Sequence, residues 1–586
     1  MKLPVIVGMG GINAAGRTSG FHSYKRMVYK ALPQKTMEKT WSDLAHRMGL
    51  STDKIQSILD GTLIRQIDLF NPNHVYAHQA ATLASNLNID VGDATELLLA
   101  GQSIFWEKFS SMAVQSAGML PRGFDPAKLY NSHHHPRGLI LTVYAMSDAL
   151  SSLGLDWNQL LTKIKPDQVS VYAGSALAQV DEHSLAGLIA QPLKGKRVNS
   201  KMMPLSLAEM PADFVNSYIL NSVGTTGHNM GACATFLYNL RQGIRDIQHG
   251  HAKIAIVGSA EAPVNPDIIE GFRTMSALAS DEALCKLDNS EVANFRRACR
   301  PFSTNAGFVI AESSQFAILM ADDLALEVGA PILGSVADVY VNADGNKKSI
   351  ASPGVGNYIT MAKACSLAQA MLGQKGLQDT YVQAHGTGTP QNRVTESHIL
   401  SETAKTFGIK DWTVCAVKSY VGHSIGVAAG DQLAATLGAW QYGVLPGIET
   451  IDHIASDVYQ DNLNFLMQHR VLNQAADMKG CIINAKGFGG NNASALIMSP
   501  EYTKSLLEQR FGQASLKKHA TSLEKTLQTV SENDDKICRG EEELVYHFGD
   551  QMMGMEDVHL GTSKVKLKNF VSGIELPQIN PYIHKE

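Results

Sequence analysis

The chain has 586 residues, of which 44% are hydrophobic and 18% charged, enough to bury more core than one ordinary domain holds. A net charge of −5 lacks the basic footprint of a nucleic-acid-binding protein, and no run approaches the ~20 apolar residues of a membrane span. Seven cysteines, an odd number without a C-x-x-C pair, argue against a disulfide framework and a zinc site and fit a reducing cytoplasm.

Apolar runs of strand length at 5–8, 169–173, 254–258, 316–320, 381–384, 413–417 and 481–484 alternate with helical patterns. That alternation predicts an α/β fold with buried strands. The opening stretch is glycine-rich, but a G-x-G-x-x-G fingerprint counted from Gly8 would need its third glycine where Asn13 stands. Nor does it carry the basic start and cleavage site of a signal peptide. Residues 41–50 and 94–112 read as helices of an inserted region. His133, His134 and His135 are consecutive, so their side chains point in different directions and read as loop or entrance wall rather than metal ligands. Lys194, Lys196, Arg197 and Lys201 form a local basic run that would suit an acidic partner, or serve as an ordinary solvated loop.

Cys233 follows small residues and leads into a helical pattern at 236–250. A thiol there faces unpaired N–H groups and the positive end of the helix dipole, which stabilise thiolate and supply donors for an oxyanion. A packed core thiol is the plain alternative. His385 ends the apolar run at 381–384 in Gln383-Ala384-His385-Gly386-Thr387-Gly388-Thr389-Pro390. His423 follows the run at 413–417 in Lys418-Ser419-Tyr420-Val421-Gly422-His423. A cysteine and two histidines at the ends of separate strands make a nucleophile with proton-handling partners, because such groups need adjoin only in space. Residues 501–530 are polar and amphipathic, and the tail beyond Asn533 is mixed.

In this order Ala232-Cys233-Ala234, His385-Gly-Thr-Gly-Thr-Pro, Lys418-x4-His423 and Gly487-Phe488-Gly489-Gly490-Asn491-Asn492 resemble the β-ketoacyl synthases. Further matches are Val5-Ile-Val-Gly-Met-Gly-Gly, Gly258-Ser-Ala-Glu261-Ala, and Arg300-Pro-Phe302 with Gly307-Phe308-Val309. The layout is similar to the larger FabY-type branch of β-ketoacyl-ACP synthases, which starts bacterial fatty acid synthesis. The resemblance implies the thiolase fold, two αβαβα halves in five layers. It places the N-terminal half at 1–322 with an insertion at 17–136, the C-terminal half at 323–500 and an extension at 501–586, the additions being caps or dimer contacts. It implies a cytoplasmic homodimer that needs no cofactor or metal and uses an acyl-CoA or acyl-ACP primer with malonyl-ACP, malonate carried on acyl carrier protein.

The implied chemistry is a decarboxylative Claisen condensation. Cys233 takes the acyl group, His385 and His423 hydrogen-bond the malonyl carbonyl as CO2 leaves, and Lys418 tunes the histidines with Glu396 as partner. The N–H groups of Cys233 and Phe488 form the oxyanion hole, and the Phe488 ring gates the acyl pocket. Thr387 and Thr389 line the pantetheine tunnel, and Gly487 and Gly489 border substrate. Four departures from the family pattern stand out: Arg393 replaces an Asp, Gln432 beside Asp431 replaces a Glu, and Lys486 and Asn491 alter the glycine loop. With the insertion, the changes at Lys486 and Asn491 predict a shortened acyl pocket and acetyl-CoA as primer. An elongating synthase, a polyketide ketosynthase and, from another class, a noncatalytic partner subunit are the competing readings; the intact Cys233, His385 and His423 argue against the last.

Overall fold

The computed structural model of the protein describes residues 1–67, 113–193, 195–349, 352–474, 477–550 and 552–580. The helix expected at 94–112 and Lys194 lie outside the described residues.

Eleven strands build the body of the molecule. In the first half these are β1 (Pro4–Asn13), β2 (Val169–Gly174), β3 (Thr226–Gly227), β4 (Ile254–Glu261) and β5 (Ser313–Ala321), in spatial order β3-β2-β4-β5-β1. The second half has β6 (Gly334–Ala343), β7 (Thr380–Gln383), β8 (Trp412–Cys415), β9 (Leu463–Phe465), β10 (Gly480–Gly487) and β11 (Asn491–Met498), in order β9-β8-β7-β10-β11-β6. Apart from β9 at the outer edge, both halves run third, second, fourth, fifth, first. In both, antiparallel pairs lie innermost and parallel pairs outside. The halves join where β1 pairs with β6 through Val5 with Ser335 and Ile6 with Gly334. This duplication leaves no periodic mark on the sequence.

Strands covered on both faces must be apolar throughout, which explains their short continuous runs. Every residue of β4 is buried. Helix α1 (Arg137–Leu153) covers the outer face of the first half. Helices α3 (Gly356–Leu377) and α4 (Pro390–Phe407) cover that of the second. Between the sheets lie α2 (Thr235–His249) and α5 (Ala428–Tyr442), sharing one core that draws on both halves. Helix α5 is buried at every position from Ala428 to Trp440, as a helix enclosed on all sides must be, and its alanines and glycines keep it thin enough to fit. Five layers result.

The amphipathic stretch near the C-terminus is helical over Pro500–Cys538 (α6), broken at Gly512, where φ is 78°. Ser499 caps its start by accepting the Tyr502 N–H, with Pro500 at the first helical position. Its far end meets residues near the N-terminus in a buried ionic network. Arg17 reaches Asp43 at 2.8 Å, Asp534 at 2.6 Å and Asp148 at 3.5 Å, while Arg47 reaches Asp43 at 3.0 Å and Glu542 at 3.1 Å. His22 Nε2 lies 2.9 Å from Asp534. His22, Asp43 and Cys538 are close enough to resemble a metal site, but Arg17 donates to both Asp43 and Cys538 and supplies the cation there.

Removing one partner from such a network leaves a charge buried and uncompensated. Arg17→Met is therefore expected to cost about 3–5 kcal/mol, read by urea unfolding. Burial, reinforced by Arg17 and Lys25, lowers the His22 pKa from 6.5 to about 4. The unfolded chain thus takes up that proton first, and stability contributed by the neutral ring falls as pH drops from 6.5 toward 4. Burial would raise the Asp43 carboxyl, but Arg17 and Arg47 hold it well below the usual range, so its contribution is lost at still lower pH. A lower melting temperature at pH 5 than at pH 7, with the difference reduced in His22→Gln, is the expected result.

Candidate active site

Cys233 sits in a tight turn, Ala232–Ala234, immediately before α2. The turn is set locally: Thr235 Oγ1 accepts the Gly231 N–H at 3.0 Å and donates to the Ala232 carbonyl at 2.7 Å. Ala232 is held at φ 49°, a left-handed conformation that a small side chain tolerates best. The second half repeats the device, with the turn Ile425–Val427, φ 46° at Ile425, immediately before α5. His423 lies just ahead of that turn. Cysteine and second histidine therefore come from the matching ends of the two central helices, where the duplicated halves face each other.

His385 follows β7 and is buried. Its peptide is clamped from both sides. Its N–H and that of Gly386 donate to the two oxygens of Glu396 at 2.7 and 2.9 Å, and its carbonyl accepts from Lys418 Nζ at 2.6 Å. Its ring Nδ1 accepts the Lys486 N–H at 3.3 Å, so the neutral ring carries its proton on Nε2. His423 is tied by backbone bonds to Val309 and Ala311, at 2.6 and 3.1 Å. The two imidazole centroids are 5.4 Å apart with planes at 89°. Burial, then Lys418, pushes both rings well below the ordinary histidine pKa, so both are neutral hydrogen-bonding groups.

The loop Gly487–Gly490 closes the site. A Cβ at Gly487 would lie 2.1 Å from the Gly231 carbonyl, so only glycine lets this loop approach the cysteine turn. The N–H groups of Phe488 and of Cys233 itself reach the sulfur. Phe488 stacks toward Phe272 at 6.4 Å, Phe272 meets Phe308 at 5.4 Å, and Phe308 meets His423 at 5.2 Å, an aromatic chain from the loop to the histidine. Cys233, His385, His423, Thr387, Thr389, Lys486, Gly487 and Phe488 all line one cavity of about 330 Å³. A larger cavity of about 1050 Å³ lies under the C-terminal segment and is lined by Glu541, Glu542, Glu543 and Asp550, but no thiol lines it.

One expectation needs correction. The helix start does not make Cys233 a resting thiolate: burial pushes the thiol up to about 12, outweighing Lys418 and the two N–H groups. Glu396 accepts the His385 and Gly386 N–H groups, with Asn392 and Asn484 donating as well, and its charge is the largest one favouring protonated Lys418 against the cost of burial. The run expected at 413–417 is strand β8 (Trp412–Cys415), and Lys418–Val421 is a short helix ahead of Gly422.

The departures have structural accounts. Arg393 clasps Asp457 through two bonds of 2.8 Å and donates to the Ser303 carbonyl. Gln432 donates to the Gln383 and Ala384 carbonyls at 3.0 and 2.6 Å, holding the strand end before His385, and Asp431 gathers Asn13, Ser313, Gln315 and Ser424. Lys486 Nζ donates to Asn392 and Thr395, and Asn491 donates to the Phe488 carbonyl at 2.7 Å. Gly489 lies in the loop at φ 83°. His135 is packed between Tyr130 and Tyr546 and belongs to a wall shared with the C-terminal segment, while His133, Lys196, Arg197 and Lys201 are exposed.

Glu261 is the residue whose role the sequence did not disclose. Buried at the end of β4, it accepts from Ser175, Ala176, Leu177 and Gly426, tying the Ile425 turn to the strand after the cysteine helix. Burial raises its carboxyl to about 8. An acid terminating an apolar strand is the signal that marks it.

The chain matches the family "Beta-ketoacyl synthase, N-terminal domain" over residues 137–325 and "Beta-ketoacyl synthase, C-terminal domain" over residues 333–452. It is 41% identical to the β-ketoacyl-[acyl-carrier-protein] synthase FabY of Pseudomonas aeruginosa, covering 97% of each chain. It is 26% identical to 3-oxoacyl-[acyl-carrier-protein] synthase 2 of Staphylococcus aureus, over 60% of this chain and 79% of that one. The crystal structure of the Pseudomonas aeruginosa ketosynthase FabY superposes with a TM-score of 0.90 at 37% identity, covering 99% of this chain and 98% of that one.

Proposed function

From the premise that the chain belongs to the β-ketoacyl synthase family, we propose that Cys233, His385 and His423 perform its condensation and that the reaction is the initiating one. The protein is an acyltransferase, a β-ketoacyl-[acyl-carrier-protein] synthase of fatty acid biosynthesis with the thiolase fold, and acyl carrier protein carries its substrate. The observation that carries the proposal is the single cavity on which the thiol and both imidazoles open.

In the first half-reaction the Cys233 sulfur attacks an acyl thioester, its proton leaves with the departing thiol, and the Phe488 and Cys233 N–H groups hold the oxyanion. Because the buried thiol is neutral at rest, deprotonation accompanies attack. In the second, malonyl thioester replaces the thiol along the side lined by Thr387 and Thr389. CO2 leaves, the histidines hydrogen-bond the carbonyl oxygen that takes up charge, and the resulting enolate carbon attacks the acyl-cysteine. A C–C bond forms and the C–S bond to Cys233 breaks. Neutral imidazoles beside Lys418 can do this task, since each keeps one ring N–H to donate. Lys418 and Glu396 act through the His385 peptide and are positioning residues.

The primer is acetyl-CoA and the product acetoacetyl-ACP, formed in the cytoplasm by a homodimer. Among the described residues no helix is long and apolar enough to cross a membrane. Mass spectrometry of Cys233 after mixing with acetyl-CoA, acetyl-ACP and longer acyl-ACPs tests the primer: acetylation from CoA is expected to be fastest. Faster acylation by long-chain acyl-ACP would make the enzyme an elongating synthase with the same chemistry. Sedimentation equilibrium at twice the chain mass of 63.3 kDa is the expected result for the dimer.

A further inference from the structure

Cys233 belongs to one contiguous apolar cluster, and Phe308 lines the cavity as well. Ile269, Leu278, Phe308, Ile310 and Ile425 contribute from the two halves, and Ile67, Val114, Ala117 and Met119 contribute from the N-terminal insertion. All nine are buried. The insertion thus reaches the reaction centre as well as covering the outside of the fold.

It arrives as a hairpin. Ile64–Gln66 pairs antiparallel with Ser116–Gly118, and side chains alternate along the second strand, so Ala117 and Met119 share one face while Gly118 turns to the other. Gly118 is pressed on the backbone leading to His423: a Cβ there would lie 1.9 Å from the Val421 carbonyl. The hairpin is fixed on every side. The Gly118 N–H donates to Ile310 at 2.9 Å, its carbonyl accepts from Glu312 at 2.9 Å, and Arg65 donates to the Met119 and Leu120 carbonyls at 2.9 and 2.7 Å. Ile310 in turn bridges His423. The rigid edge of the insertion therefore stands one strand away from the second histidine.

We propose that this edge, Ala117 and Met119 with Ile67 and Val114 beside it, is the floor of the acyl pocket and limits the length of acyl group that Cys233 can hold. The inference rests on the assignment of Cys233 as the acyl carrier. An acyl chain on the sulfur has to enter apolar surroundings, and the apolar surroundings of this sulfur are already filled by close-packed side chains. An acetyl group adds one methyl. A hexanoyl group needs the floor to retreat, and Arg65, Gly118 and Glu312 hold it in place. Met119 is the longest side chain of this edge, unbranched and adaptable, and its truncation, like that of Ile67, removes three heavy atoms.

The test compares acylation of Cys233 by acetyl, butyryl, hexanoyl and octanoyl thioesters in the full-length enzyme and in Met119→Ala, each rate normalised to the acetyl rate of the same variant. The expected result is a rise in the hexanoyl-to-acetyl ratio of about tenfold or more, the discrimination that a hydrophobic pocket draws from small changes in size. Ile67→Ala, on the other strand of the hairpin, is expected to shift the ratio the same way, and it decides the matter if Met119→Ala does not fold. A variant that folds, acylates with acetyl and keeps the wild-type length profile overturns the floor. Failure of every thioester to acylate Cys233 in the wild-type enzyme overturns instead the functional assignment beneath it.

Discussion

Cys233→Ala is expected to abolish both acyl-enzyme formation and condensation while leaving the fold intact. The thiol is buried among apolar neighbours and its sulfur makes no structural hydrogen bond beyond the two N–H groups that await an oxyanion. Deleting one small group costs little packing, so thermal unfolding should change by no more than about 1–2 kcal/mol. Chemistry, in contrast, loses its only covalent carrier. Cys233→Gln should retain decarboxylation of malonyl thioester, because the amide carbonyl imitates the acylated cysteine and can engage the same N–H pair. Mass spectrometry for the acyl adduct and CO2 release for decarboxylation separate the two variants. Normal condensation by the alanine enzyme would remove Cys233 from the mechanism.

His385→Ala and His423→Ala are each expected to slow decarboxylation of malonyl thioester by roughly 10²–10⁴-fold, the range for positioned hydrogen-bonding and acid–base groups. Acylation of Cys233 should suffer less. No hydrogen bond between either imidazole and the sulfur is seen, and the groups that do reach the sulfur are the Phe488 and Cys233 N–H groups. Lys418 adds its field to all three, favouring thiolate and keeping both imidazoles neutral. Single-turnover measurement of each half-reaction checks the division. An equal fall in both would mean that a histidine serves as base for the thiol, instead of the proton leaving with the departing thiol.

Much of the site was legible because its chemistry is local. Cys233 between alanines, His385 in a run of glycine and threonine, and His423 five residues after Lys418 each carry their signature in a few consecutive residues. The departures were legible as departures only. Arg393 in place of an acid says nothing of Asp457, 64 residues away, and Gln432 says nothing of the carbonyls that it caps before His385. What Glu396 does besides offsetting the charge of Lys418 was hidden for the same reason: it lies on α4 nearly two turns beyond its start, where the N–H groups of His385 and Gly386 claim both oxygens.

By itself, then, the sequence determined the alternating α/β character, the family and the identity of the three groups that meet at the cavity, since these depend on residue type and near-neighbour pattern. Only the tertiary structure decided the rest. The duplicated winding of the halves is a property of strand order, which no local run encodes. The neutral state of the Cys233 thiol follows from its burial, and that burial is set by residues from distant parts of the chain, among them Gly487 and the apolar cluster around the thiol. The lock between Arg17 and Asp534 spans 517 positions, and the hairpin edge at Ala117 and Met119 packs in the same apolar cluster as Cys233. Proximity and desolvation are nonlocal, and they decide how the residues that the sequence names behave.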